Sequence, residues 1–189
     1  AFMLLYRLPE AFLVKMMNPF LLNPIDAGGL GMTKEAVGIV YGTIGIFALT
    51  VGGILGGYAA SQWGLRRSMW PMALSLALPC LSFVFLAMFQ PHDVSLIGTC
   101  VALDQFGYGF GFTAYMLYLI HFSEGEFKTA HYSICTGFMA LSMMLPGLIA
   151  GYVQEWLGYT SFFIFVMICC IATIVVTLKI RNLLPKDNK

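Results

Sequence analysis

The chain has 189 residues, of which 59% are hydrophobic and only 10% charged. Soluble domains carry about 25% charged residues, so this composition cannot cover a water-facing surface and a soluble fold is excluded. The formal net charge of +1 points to no nucleic-acid partner. A transmembrane β-barrel would show alternating segments of about 10 residues, whereas these runs are continuous and rich in Gly and Met, which leaves helices as the spanning solution.

Six apolar stretches follow one another: Phe2 to Leu22, Ala36 to Ala60, Met69 to Phe89, Ser95 to His121, Ala130 to Val153 and Ser161 to Ile180. About 20 mostly apolar residues span the hydrocarbon of a bilayer as an α-helix. The expected fold is therefore an all-α membrane protein with six transmembrane helices, over approximately 2–23, 34–61, 68–90, 95–122, 129–153 and 160–182 within one bundle of residues 1–189. The chain opens at Ala1 already inside an apolar run and reads as a piece of a longer polypeptide.

On the first helix, Arg7, Glu10, Lys15 and Asn18 fall within an arc of about 140° at 100° per residue, giving one polar face. Glu10 either pairs with Arg7 three residues away or meets a positive group of a solute. Arg7 is expected near the cytoplasmic interface, where it would snorkel, so Glu10 and Lys15 rank above it. Asn18-Pro19 interrupts this helix towards its outer end.

The second helix carries Gly38 and Gly42, Gly52 and Gly56, and Gly53 and Gly57, a spacing of four that lets helix backbones approach closely. The third and sixth contain no charge in their cores and are expected at the periphery, facing lipid all round. The fifth carries Pro146-Gly147 and Gly151, a candidate kink or gate hinge.

The fourth helix holds the strongest single position. Asp104 lies about nine residues in, or ~13 Å from the outer end at 1.5 Å per residue, close to the bilayer midplane. A charge there costs about 2.5–3.5 kcal/mol on insertion scales, so it must face the interior, find a partner or bind a proton. Gln105 follows it. Asp104, Tyr108, Gly111, Tyr115 and Tyr118 share one helix face, reading either as packing or as a wall of hydroxyls and rings with a gap at glycine, suited to a sugar-like solute.

The five cysteines, Cys80, Cys100, Cys135, Cys169 and Cys170, all lie inside predicted spans and imply packing rather than disulfides. His121, His131, Glu124 and Glu126 cluster near the fourth loop without metal-ligand spacing. No phosphate-cradling loop and no set of nucleophile, base and orienter is present, so neither an enzyme nor a cofactor or metal is expected. Arg7, Arg66, Arg67, Lys179, Arg181, Lys186 and Lys189 fall on one side of the predicted topology, and the positive-inside rule then places both ends of the segment in the cytoplasm.

Slid against itself, the sequence matches at an offset of 94: Glu10 with Asp104, Gly57-Tyr58 with Gly151-Tyr152, and Gly64 with Gly158 (104 − 10, 151 − 57 and 158 − 64). Three helices per repeat is an odd number, so the second repeat enters the membrane from the opposite side. That is the 3+3 inverted repeat of many secondary transporters.

The stretch from Gly57 to Arg67 resembles the loop signature of the major facilitator superfamily, with Gly57, Gly64, Arg66 and Arg67 matching as a gating loop and Ser61-Gln62 standing where an Asp-Arg pair is usual. Within that superfamily, Tyr6 to Phe12, Ile25 to Gly31, Asp104-Gln105 with Gly109 and Gly111, and Pro146 to Phe163 resemble the anhydromuropeptide permeases. The acids match by type, with Glu10 where Asp is expected and Asp104-Gln105 where Glu-Asn is expected. The resemblance implies helices seven to twelve of a twelve-helix fold, partnered by an N-terminal six-helix half of the same polypeptide. It further implies a bacterial inner-membrane, proton-coupled importer of amino-sugar peptides in peptidoglycan recycling. Asp104, Glu10, Gln105, Tyr108, Tyr115, Lys15 and Asn18 would bind substrate or proton. A carrier or exporter of another solute, such as a sugar, peptide, drug or nucleotide thioester, and a non-transporting structural subunit are the competing readings.

Overall fold

A computed structural model describes residues 2–183; Lys186 and Lys189, used in the orientation argument, lie outside the described residues. The described residues are helical with no strand. The first predicted helix is two pieces, α1 (Phe2–Leu5) and α2 (Leu8–Leu22). The break at Tyr6-Arg7 follows from Pro9, which lacks the amide that would bond the Leu5 carbonyl. Thr173 takes over that role: its hydroxyl donates to the Leu5 carbonyl at 3.3 Å and the Tyr6 carbonyl at 3.0 Å. In an apolar medium such replacement is obligatory, and here it stitches the last helical arm to the first.

The turn after α2 folds back on it, with the Leu30 amide on the Phe20 carbonyl and the Met32 amide on the Leu21 carbonyl, both at 2.9 Å. Thr33 then caps α3 (Lys34–Val37) by accepting from the Ala36 amide at 3.2 Å. A π-helical stretch, Gly38–Gly45, and α4 (Ile46–Trp63) continue the same 30-residue rod. Gly64, at φ 76° and ψ 162°, ends it, a left-handed φ that glycine adopts without Cβ strain.

The third predicted helix comprises α5 (Leu65–Ala77) and α6 (Cys80–Phe89), interrupted at Leu78-Pro79. Asp93 caps α7 (Val94–Phe122) by accepting from the Ser95 amide at 2.9 Å. α8 (Lys128–Leu183) covers the fifth and sixth predicted helices and bends at Gly158, at φ 73° and ψ 164°. Those angles nearly repeat those of Gly64, 94 residues earlier. The rod starts Lys34 and Lys128 are separated by the same 94 (128 − 34).

Among the described residues, three stretches are long and apolar enough to cross a membrane: Lys34–Trp63, Leu65–Phe89 and Lys128–Asn182. The α1–α2 pair is cut too short by its break, and α7 is made less apolar by Asp104, Gln105 and its glycines and tyrosines. α7 is also well enclosed, with Asp104, Gln105, Gly107, Gly109, Gly111, Ala114 and Tyr115 buried. Against α4 the two backbones touch: a Cβ at Gly52 would collide with the Phe106 carbonyl, and one at Gly109 with the Leu49 carbonyl. Gly56 adds a third contact, its Cβ position lying 2.7 Å from Thr113 Oγ1, whereas Gly38, Gly42 and Gly57 face open space.

Two apolar clusters hold the bundle. One joins Phe12, Met17 and Phe20 of α2 to Phe83 and Leu86 of α6 and to Phe162, Phe163 and Val166 beyond the Gly158 bend. The other joins Phe2 and Tyr6 to Met69, Met72 and Ala73 of α5 and to Tyr115 and Leu119 of α7. The charge-free third helix is therefore not open to lipid all round, since Ser68, Met69, Met72, Ala73, Leu76, Cys80 and Phe83 are buried. Polarity was a poor guide here: 39% of an apolar 18-residue stretch within Leu65–Phe89 is buried against 22% of one within the glycine-rich Lys34–Trp63. The arm before Gly158 is also open, exposing Ile134, Phe138, Leu145, Leu148, Tyr152 and Trp156.

Candidate functional site

Arg7, passed over in the sequence as an interfacial residue, is the centre of the buried polar site. Its guanidinium is 5% exposed, because the break after α1 turns it inward instead of towards the membrane surface. Nη2 donates to Glu10 Oε1 at 2.7 Å and Nε to Glu10 Oε2 at 3.1 Å, a two-pronged pair within one turn. Nη2 also donates to the Tyr108 hydroxyl at 3.1 Å. The guanidinium carbon lies 4.7 Å from the ring centre of Phe112 and 5.9 Å from those of Tyr108 and Tyr115. One face of α7 thus supplies an aromatic cage for a cation of the first helix. The charge could not be read as buried because its aromatic partners, Tyr108, Phe112 and Tyr115, lie about a hundred residues away.

Glu10 is 6% exposed, and of the two alternatives weighed for it the pair with Arg7 is the one formed. Asp104 and Gln105 are each 6% exposed. The carboxylate of Asp104 has only a long 3.4 Å contact from Gln105 Nε2 and no cation beside it among the described residues. Glu10, Leu13, Val14, Leu76, Cys80, Asp104, Gln105 and Tyr108 enclose a cavity of about 10 Å³. That is about the room one water needs, so the two acids face a space fit for a water or a proton carrier rather than a solute.

The tyrosine stripe is used within the bundle. Tyr115 donates to the Met3 carbonyl at 2.9 Å, and Tyr6 from the opposite side to the Gly111 carbonyl at 3.0 Å. The expected gap at Gly111 is occupied: a Cβ there would lie 2.5 Å from Leu76 Cγ and 2.6 Å from the Met72 carbonyl. Tyr118 stacks edge-on against Phe2 at 4.4 Å.

Lys15 and Asn18 lie apart from this group, both exposed on α2. Gly57 and Arg67 are exposed, while Gly64 and Arg66 are half-buried at the turn between α4 and α5. The candidate binding residues therefore form two sets: an inner one of the buried Arg7, Glu10, Asp104, Gln105 and Tyr115 with the half-buried Tyr108, and an open one of Lys15 and Asn18. His121 and Glu124 make only a 3.7 Å exposed contact. Cys80 and Cys170 bring their sulfurs to 3.6 Å as free thiols between α6 and the last arm.

Apolar helices long enough to cross a membrane, packed around a buried ion pair, define a polytopic membrane protein. The Major Facilitator Superfamily sequence profile matches residues 4–189, and the chain belongs to that family. A Rickettsia bellii protein named "Putative transporter AmpG 1" is 32% identical over 98% of this chain and 43% of its own length. A Rickettsia felis protein of the same name is 29% identical over 96% and 40%. The Rickettsia prowazekii protein "Putative transporter AmpG 2" is 28% identical over 94% and 42%. The chain thus spans about two fifths of the length of these curated relatives. Among solved structures, a mutant of the peptide transporter POT in complex with sulfate superimposes with a TM-score of 0.77, at 17% identity, over 96% of this chain and 36% of that one. At that identity the likeness concerns the fold.

Proposed function

We propose that the chain is the C-terminal six-helix half, a 3+3 inverted repeat, of a twelve-helix proton-coupled carrier that imports anhydromuropeptides across a bacterial inner membrane. The observation that carries this reading is the match of nearly all of this chain to about two fifths of proteins named AmpG, joined to two buried acids, Glu10 and Asp104. In this reading both ends of the segment are cytoplasmic and Gly57 to Arg67 forms the cytoplasmic gating loop. The open faces of Lys34–Trp63 and of residues 128–157 pack against the N-terminal six helices.

Asp104 is the proton carrier. It lacks a cation, whereas Glu10 is held by Arg7, so a proton arriving in the small cavity finds Asp104 as its uncompensated acceptor. Neutral Asp104 lets the loaded carrier reorient, and release of the proton inside resets it. Gln105 orients the group, and Tyr108 lines the same small cavity. The full-length protein in vesicles, given labelled N-acetylglucosaminyl-anhydro-N-acetylmuramyl peptide, should accumulate it only with a proton gradient, acidic outside. Uptake that ignores the gradient overturns the coupling, and no uptake of this solute while a simple sugar or dipeptide is taken up overturns the substrate.

A further inference from the structure

Along α2 nearly every direction is covered: Ala11, Phe12, Leu13, Met17, Phe20 and Leu21 are buried and Val14, Met16 and Pro19 are half-buried. The residues left open are Lys15, Asn18 and Leu22, at steps of three and four, which form one narrow strip. Two of its three members are polar. A strip facing lipid would be apolar, so the polarity of this one marks it as the side of the helix that meets water.

Lys15 carries the only charge on that strip, and no carboxylate lies within ion-pair distance of it among the described residues. The other cation of this helix, Arg7, is neutralised by Glu10. The helix therefore presents one uncompensated positive charge to the water-filled side. Its stem is also guided. A Cβ at Gly147 of α8 would lie 2.9 Å from Lys15 Cε, 3.4 Å from Cγ and 3.7 Å from Cδ, so the methylene chain runs through the notch that this glycine leaves beside Pro146.

We propose that Lys15, steered along the Gly147 notch, binds a carboxylate of the transported solute, with Gly147 as its positioning residue. An ammonium on a flexible stem suits a carboxylate at the end of a mobile peptide, since it recognises charge without demanding one planar geometry. Asn18, one turn further along the strip, offers an amide donor to the same group. The inference rests on the carrier reading above and supplies the chemical class that the open part of the site selects, an anionic solute.

The test uses the full-length carrier and two versions of the muropeptide, with the peptide carboxylates free or amidated. Lys15→Gln should raise KM for the free acid about tenfold or more, the loss of one charge-assisted contact, with kcat little changed and KM for the amide unmoved. Gly147→Ala should raise KM in the same direction, and Gly147→Ser likewise. Equal effects of Lys15→Gln on acid and amide overturn the proposal. Independently of any solute, a membrane-impermeant amine reagent should modify Lys15 in the folded wild-type carrier, read by mass spectrometry, and the free acid should protect it more than the amide. A Lys15 that stays unmodified while Lys34 reacts overturns the water-facing strip. Absence of muropeptide uptake by a carrier whose Lys15 is modified and is protected by other carboxylates would reject the substrate, not this contact.

Discussion

At the scale of single residues, Arg7 shows how a charge survives in an apolar interior. It is paired on one side, stacked on the other and hydrogen-bonded at Tyr108, so its removal leaves Glu10 buried alone. Breaking a buried pair from one side costs about 3–5 kcal/mol, whereas removing both partners costs far less. Arg7→Met should therefore lower the thermal midpoint of the purified protein much more than the double variant Arg7→Met/Glu10→Met. A double variant no more stable than the single would mean the pair is not formed. Asp104 has no such partner to lose. Asp104→Asn, which imitates the protonated form, should abolish accumulation against a gradient and leave solute exchange in place. Full proton-driven accumulation by Asp104→Asn would remove this side chain from coupling. Both acids were visible in the sequence because a carboxylate inside an apolar run is conspicuous. Arg7 was expected to snorkel and is instead buried, because the break at Tyr6-Arg7 sets the direction of its side chain.

At the scale of elements, the close approach of α4 and α7 is a matter of absent side chains. Gly52 and Gly109 put backbone against backbone, so a branched residue at either position must force the helices apart. Gly52→Val should reduce the folded yield in detergent sharply, while Gly57→Ala, which meets open space, should leave it unchanged. Equal yields would mean the contact is not formed. The spacing of four announced three possible pairs and could not rank them, because which stripe meets a neighbour depends on where α7 lies. The breaks at Tyr6-Arg7 and Leu78-Pro79 each sit beside a proline readable in the chain. Their repair, such as the Thr173 hydroxyl on freed carbonyls, joins residues 168 positions apart and has no local signature.

At the scale of the whole molecule, the offset of 94 was the most informative sequence observation. It singled out Gly64 and Gly158, and the two share a left-handed φ and an extended ψ at equivalent bends. Composition could not foretell that the charge-free Leu65–Phe89 span would be more covered than Lys34–Trp63, because hydropathy measures tolerance of lipid and not contact with it. The proposed orientation rests on cation placement and predicts that in intact cells an Arg66→Cys variant resists an impermeant thiol reagent applied from outside. Its modification from that side would reverse the proposed topology.

The π-helical stretch Gly38–Gly45 has a further consequence. Bonds from residue i to i+5 accommodate one residue more than the same length of α-helix, so this rod carries a surplus amino acid. Loss of one residue anywhere between Gly38 and Gly45 would convert the stretch to ordinary α-helix while both flanking segments kept their facing. Loss of one residue within Ile46–Trp63 would instead turn everything beyond it by about 100°. The chain thus contains a place where its length can change by one without altering the facing of the helical segments on either side, although Val40, Ile44 and Gly45 within it themselves pack on α7.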